Sequence, residues 1–78
     1  MLEVQGMKIG MKVKVTHLET TDGMLISEKH LLPRKADSVG EVLGWVPGHG
    51  GDIWWVKHDV TGEICAYSFT ELEEVKNF

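Results

Sequence analysis

A hairpin signal in the second half of the chain limits most strongly what this sequence can fold into. Residues 52–58 (DIWWVKH) and 63–67 (EICAY) are short runs rich in β-branched and aromatic residues, and Asp59-Val60-Thr61-Gly62 stands between them. Two such runs separated by a short segment that contains glycine are typical of a β-hairpin. The sequence therefore predicts two antiparallel strands joined by a tight turn.

Two further strands are predicted before this hairpin. The segment from Met11 to His17 alternates, with valines on one side and mostly lysines on the other, which is the pattern of a half-buried strand. The next strand is expected from Val39 to about Val46. Gly40 and Gly44 lie inside it, and a glycine within a strand often marks a bulge or a sharp bend.

The connections also carry signals. Ser68-Phe69-Thr70-Glu71 has the spacing of a capping box, which predicts one helical turn, and residues 72–76 are expected to form a short fifth strand. A long connection runs from Leu18 to Ser38. Within it, residues 27–32 are expected to form one helical turn capped by Ser27. The apolar side chains of this connection indicate that it packs back onto the sheet.

Composition restricts the class of protein. The 78 residues allow one domain, 1–78, in which residues 1–8 are expected to be flexible or to add an edge strand. No apolar run is long enough to span a bilayer and the first residues do not resemble a signal peptide. A single cysteine, Cys65, fits a reducing cytoplasm. The net charge of −4 disfavours nucleic acid as a partner, although Lys8, Lys12 and Lys14 could form a local basic strip.

The order of these elements resembles that of Src-homology-3 (SH3) domains. The segment GDIWWVKH is similar to the Gly-Asp-Trp-Trp start of the third strand in that family, DVTGEI to its distal hairpin, and AYSFTELEEV to its helical turn and closing strand. The resemblance implies an all-β fold: a small five-stranded SH3-like barrel with a long first loop and one short 3-10 turn before the last strand.

The resemblance also bears on function. The stretch VTHLETTDG has no tyrosine and SFTEL has no proline, so the residues that build the polyproline groove of eukaryotic SH3 domains are missing. The segments GMKVKV and GEVLGW resemble bacterial SH3-like barrels, including those attached to enzyme subunits such as the nitrile hydratase β chain. Such domains dock onto partners and do not themselves catalyse, which implies a non-enzymatic role.

An aromatic surface is the first candidate site. Trp54 and Trp55 are adjacent in a strand and must point to opposite faces. Aligned with the SH3 family without a gap, Trp54 faces the core, and Trp55 is left partly exposed beside Ile53 as an anchor for a partner. The alternative is that Trp55 covers the base of the long loop. Trp45 is expected to extend the same surface or to have a core or covering role. A bulge at Gly44 or Gly51 would exchange the faces of Trp54 and Trp55.

His49 is the second candidate, because it lies in the glycine-rich loop PGHGGD. We expect this loop to contribute to binding specificity. It could cradle a phosphate, but it leads into a strand, and glycines that allow a tight turn are the simpler explanation. His58 and Cys65 share a face, yet no spacing resembles a four-ligand zinc site. The sequence predicts no metal, no cofactor and no catalytic residue.

Three functions are compatible with these observations. The first is a monomeric docking module that binds an unidentified protein partner through Trp55, with Ile53 or Trp45. The second is a small nucleic-acid-binding barrel that uses Trp55 as a stacking platform and Lys12, Lys14 and Lys57 as phosphate contacts. The third is an accessory domain of an enzyme complex. The acidic residues near the C-terminus are expected to form a solvated surface that protects the last edge strand; these are Glu71, Glu73 and Glu74.

Overall fold

Five strands and two 3-10 turns make up the fold. The structure is a computed structural model that describes residues 7–76. The elements in chain order are β1 (Lys12–Val15), a first 3-10 turn (Glu28–His30), β2 (Val39–Trp45), β3 (Ile53–His58), β4 (Ile64–Ser68), a second 3-10 turn (Phe69–Glu71) and β5 (Leu72–Glu74). The predicted all-β architecture, with its long first loop and its 3-10 turn before the last strand, is confirmed. The expectation for the N-terminus falls largely on residues 1–6, which lie outside the described residues.

The strands form one antiparallel sheet in the order β4-β3-β2-β1-β5. The hydrogen-bonded ladders do not close into a barrel, because β4 and β5 are the two edges of this order. These edges are joined instead by the second 3-10 turn. That turn has the predicted capping box: the Glu71 carboxylate accepts the Ser68 N–H at 2.8 Å and the Ser68 hydroxyl accepts the Thr70 N–H at 3.4 Å. The two reciprocal bonds fix the direction in which the chain leaves β4.

The main core lies on one face of the sheet. Trp54 and Val56 are buried on this face, as predicted from the alternation of β3, and Tyr67 and Cys65 of β4 pack beside them. Cross-strand partners explain this arrangement, since Trp54 is opposite Tyr67 and Val56 is opposite Cys65. The other buried members of this cluster are Met7, Val13, Val15, Val42 and Leu72.

Both glycines of β2 have a structural role. A Cβ atom on Gly40 would lie 2.4 Å from the carbonyl oxygen of Lys57, a distance that no real side chain tolerates, so the strands approach too closely there for any residue but glycine. The pairing of β2 with β3 shifts register between Val42 and Gly44. This shift is the bulge that Gly44 indicated in the sequence. The expectation that such a bulge would exchange the faces of Trp54 and Trp55 is wrong, because Trp54 remains buried in the core and the bulge changes the direction of side chains in β2.

The long loop between β1 and β2 folds back on the sheet. Its 3-10 turn is in the predicted place, but the expected cap is wrong in one respect: the Ser27 side chain makes no capping hydrogen bond, and its carbonyl accepts the His30 N–H at 3.0 Å. The His30 ring donates from Nδ1 to the Ile64 carbonyl at 2.8 Å, which ties the turn to β4. The loop therefore covers part of the second face of the sheet and one of its edges.

Candidate functional site

The surface predicted around Trp55 is covered by the long loop. Ile53 is buried and Trp55 is half-buried, and the edge of the His30 ring packs against Trp55 with 4.8 Å between ring centroids. These side chains belong to a second apolar cluster. It contains Val46, Ile53 and Ala66, with Met24, Ile26, Leu31 and Trp55 packed against them. The contacts of Trp55 are those of a side chain that supports the base of the loop, which was the alternative left open by the sequence.

Trp45 lies on the opposite face of the sheet from Trp55. It is the cross-strand partner of Trp54, and directly opposed residues share a face. The expectation that Trp45 extends the surface around Trp55 is therefore wrong. The physical reason is the bulge before Gly44, because one extra residue in β2 reverses the side to which the following side chains point.

Trp45 is the most exposed aromatic side chain among residues 7–76. It is 57% exposed, and its ring makes an edge contact with Trp54, with 6.1 Å between ring centroids. Leu43, in the bulge, is 37% exposed. Gly10 donates its N–H to the Val42 carbonyl at 2.7 Å, which brings the exposed Ile9 to the same end of β2. We call the exposed part of the Trp45 indole the Trp45 surface.

His49 is held by hydrogen bonds at both ring nitrogens. Its Nε2 accepts the Leu25 N–H and its Nδ1 donates to the Pro47 carbonyl, each at 3.1 Å. This arrangement requires the neutral imidazole. Gly48 and Gly50, on either side of it, have φ angles of +88° and +65°, in the region that favours glycine. His49 thus connects the glycine-rich loop to the long loop, and the glycines serve the tight turn.

A buried ion pair, which the sequence did not indicate, joins the long loop to the second 3-10 turn. Glu71 is fully buried and pairs with Arg34, whose side chain is only 4% exposed. The same carboxylate accepts the backbone N–H groups of Ser68 and Glu19. The guanidinium lies 5.1 Å from the centroid of the Tyr67 ring. The prediction that Glu71 belongs to a solvated acidic surface is wrong, whereas Glu73 and Glu74 are exposed as expected.

Tyr67 and His58 continue this polar network inside the core. The Tyr67 hydroxyl lies 2.8 Å from His58 Nε2 and accepts the Lys35 N–H at 3.0 Å. Burial raises the pKa of Tyr67 to about 12 and lowers the pKa of His58, since both charged forms lose contact with water. Burial also raises the pKa of the Cys65 thiol to about 11, so this group stays protonated and is a poor nucleophile.

An exposed network fixes the start of the long loop. His17 Nδ1 lies 2.8 Å from the Thr16 hydroxyl, and its Nε2 lies 2.7 Å from the Glu19 carboxylate. The Thr70 hydroxyl donates to the same carboxylate at 2.8 Å and is the main reason that the pKa of Glu19 is lowered. The order hydroxyl, imidazole, carboxylate resembles a catalytic relay, but the Thr16 hydroxyl already donates to the Glu71 carbonyl at 3.3 Å. The network anchors the loop to the second 3-10 turn.

The lysines proposed as phosphate contacts lie beside carboxylates. Lys12 pairs with Asp59 at 2.6 Å and Lys14 lies 3.9 Å from Asp37. Lys57 is the cross-strand partner of Glu41. The negative charges beside these lysines weaken the positive potential that a phosphate backbone would meet there.

Neither metal-binding geometry nor a known relative points to a function. Among residues 7–76, no three His, Cys, Asp or Glu side chains are grouped so that they could hold a metal ion. This part of the chain also has no helix with the length and apolar character needed to cross a membrane. Comparisons with models of protein families, with curated proteins and with solved structures found no match to the chain.

Proposed function

We propose that this protein is a non-enzymatic, SH3-like docking module that binds a protein partner through the Trp45 surface. The observation that supports the proposal is the exposure of Trp45 above a rigid support. Its indole is 57% exposed while Trp54 beneath it is 3% exposed. A large aromatic side chain that is held in place before binding loses little conformational entropy, and tryptophan is enriched among the residues that dominate binding energy.

The proposal changes the face that the sequence favoured. Ile53 and Trp55 are engaged by the long loop, so the partner would meet the exposed indole of Trp45. The buried free thiol of Cys65 is consistent with work in a reducing cytoplasm. Docking onto the larger subunit of an enzyme complex would be one form of this function.

The test compares wild-type protein with Trp45→Ala in affinity capture from host lysate, with and without nuclease, followed by calorimetry on the purified partner. Loss of an aromatic anchor costs about 2–4 kcal/mol, which weakens binding by roughly 30- to 1,000-fold. Leu25→Ala is the matched control, because Leu25 is 85% exposed and donates only its backbone N–H to His49.

The outcomes separate the functions. The docking proposal expects a partner that survives nuclease, is lost by Trp45→Ala and is kept by Leu25→Ala. Partners that disappear with nuclease would indicate nucleic-acid binding, for which the paired lysines provide little support. A folded Trp45→Ala variant that binds its partners as tightly as wild type would refute the proposal.

A further inference from the structure

The middle of the long loop covers the second apolar cluster. Met24 and Ile26 are half-buried and pack against the cluster that contains Ile53 and Trp55. Leu25, between them, is 85% exposed, so its side chain takes no part in this cover. Under the cover Ile53 is only 7% exposed. This segment therefore shields an apolar surface of the sheet that would otherwise meet water.

A single side chain of the glycine-rich loop holds the centre of this segment. The Leu25 N–H donates to His49 Nε2 at 3.1 Å, and Leu25 is the residue between the two that cover the cluster. The segment is also anchored at its two ends, by the Glu19 N–H on the buried Glu71 carboxylate and by the His30 ring on β4. His49 thus acts on the span between these anchors.

The direction of this hydrogen bond is fixed by its partner. A backbone amide only donates, so His49 Nε2 must accept and carries no proton. Nδ1 lies 3.1 Å from the Pro47 carbonyl, which only accepts, so the ring proton is on Nδ1. Protonation would place a second N–H on Nε2, facing the N–H of Leu25, and two donors cannot form a hydrogen bond. The charge of histidine ordinarily changes between about pH 5 and 8.

The surroundings of His49 can accommodate a positive ring. Among residues 7–76, the charged side chains that line the depression at His49 are acidic: Glu19 and Asp22 of the long loop and Asp52 before β3. The nearby basic group is His17, whose Nε2 lies 2.7 Å from the Glu19 carboxylate. A protonated His49 ring therefore has carboxylates on the surface around it, whereas the Leu25 N–H offers it no acceptor.

We propose that His49 is a pH-sensitive latch on the long loop. The neutral ring holds Leu25 and keeps Met24 and Ile26 over the second apolar cluster. The protonated ring releases the segment, and the surface that includes Ile53 becomes accessible. This device is independent of the Trp45 surface, which lies on the opposite face of the sheet from that cluster.

Amide hydrogen exchange tests the release. Each rate is compared with that of an unstructured chain at the same pH, which removes the intrinsic pH dependence of exchange. Protection of the Leu25 N–H should fall by roughly fivefold or more from pH 7.5 to pH 5.0, since one hydrogen bond stabilises by about that factor. The Val56 amide in the centre of β3 reports global unfolding and should lose less protection. Leu25 protection that is equal at both pH values, or that changes only in step with Val56, would overturn the proposal.

Two variants assign the change to His49. The side-chain oxygen of glutamine can accept the Leu25 N–H but does not titrate, so His49→Gln should keep Leu25 protected at both pH values. Lysine has only donors, so His49→Lys should leave Leu25 unprotected already at pH 7.5. A fall in His49→Gln as large as in wild type would assign the effect to His17, His30 or Glu19 and refute the latch. This comparison decides the matter even if His49→Lys does not fold.

Dye binding tests whether release uncovers the apolar cluster. The probe is 8-anilinonaphthalene-1-sulfonate, which binds exposed apolar surface. Its fluorescence should rise from pH 7.5 to pH 5.0 with wild type and with Trp45→Ala, but not with His49→Gln. Because the rise does not depend on Trp45, failure of the docking proposal and failure of this one are distinguishable. Loss of Leu25 protection without a rise in fluorescence would show that the cluster stays covered and would contradict the proposal.

Discussion

The buried ion pair between Arg34 and Glu71 gives the sharpest test of how the fold is held together. Glu71→Gln keeps the volume of the side chain but turns one carboxylate oxygen into an NH₂ donor. That donor would face groups that are themselves donors, the Arg34 guanidinium or a backbone N–H. Removing one partner of a buried pair costs about 3–5 kcal/mol, because the remaining charge is left uncompensated. A domain of 78 residues has a total stability of only about 4–12 kcal/mol.

The assay is urea denaturation followed by tryptophan fluorescence. For a small protein, with a slope near 1 kcal/mol per molar urea, the midpoint should fall by about 3 M or more. Glu74→Gln is the matched control, since it makes the same chemical change at an exposed position in the same acidic segment. Its free energy of unfolding should stay within about 0.5 kcal/mol of that of the wild type.

A double-mutant cycle then isolates the pair. Arg34→Met removes the other charge, and the double variant with Glu71→Gln should be more stable than the sum of the two single losses predicts, by about 1 kcal/mol or more. If Glu71→Gln and Glu74→Gln had the same midpoint, the claim that a buried carboxylate organises the long loop would be refuted.

Two further predictions concern the core. Gly40→Ala should destabilise the protein by about 1–3 kcal/mol, because the new Cβ atom would meet the Lys57 carbonyl. Gly44→Ala is the control, because a Cβ atom at Gly44 would lie in open space, and the melting temperature of Gly40→Ala should be well below that of this control. Equal melting temperatures would contradict the close approach of the strands at Gly40. The pKa of His58 is lower in the folded protein than in the unfolded chain, so the unfolded chain takes up a proton more readily. The contribution of neutral His58 to stability is therefore present above pH 6.5 and is lost as the pH falls through the lower folded-state pKa. Urea midpoints from pH 7.5 to 5 should therefore fall more steeply for wild type than for His58→Phe, and parallel curves would contradict the shift.

Local patterns determined most of what the sequence predicted correctly. The β3–β4 hairpin, the core face of Trp54 and the capping box at Ser68 each depend on residues a few positions apart. For such features the period of the side chains and the chemistry of turns are sufficient. The element bounds agree with the expectation to within a few residues.

The residues whose positions the sequence did not predict are held by contacts between segments that are far apart in the chain. Arg34 and Glu71 are 37 positions apart, and nothing in the sequence near either residue indicates the pair. The capping box was the one available signal, because a Glu at that position is directed inward toward the turn. The face of Trp45 could not be derived either, since the glycine indicated a bulge without fixing the residue at which the register changes.

The bulge in β2 has a consequence for how sequences of this kind can change. Because the bulge holds one extra residue, the loss of a single codon at Leu43 would restore a regular ladder and leave Trp45 opposite Trp54, on the face that it already occupies. A deletion of one residue at this position would thus be absorbed without changing the face that carries the exposed aromatic side chain. Alignments of such strands that do not allow for a gap at this position would pair residues from opposite faces.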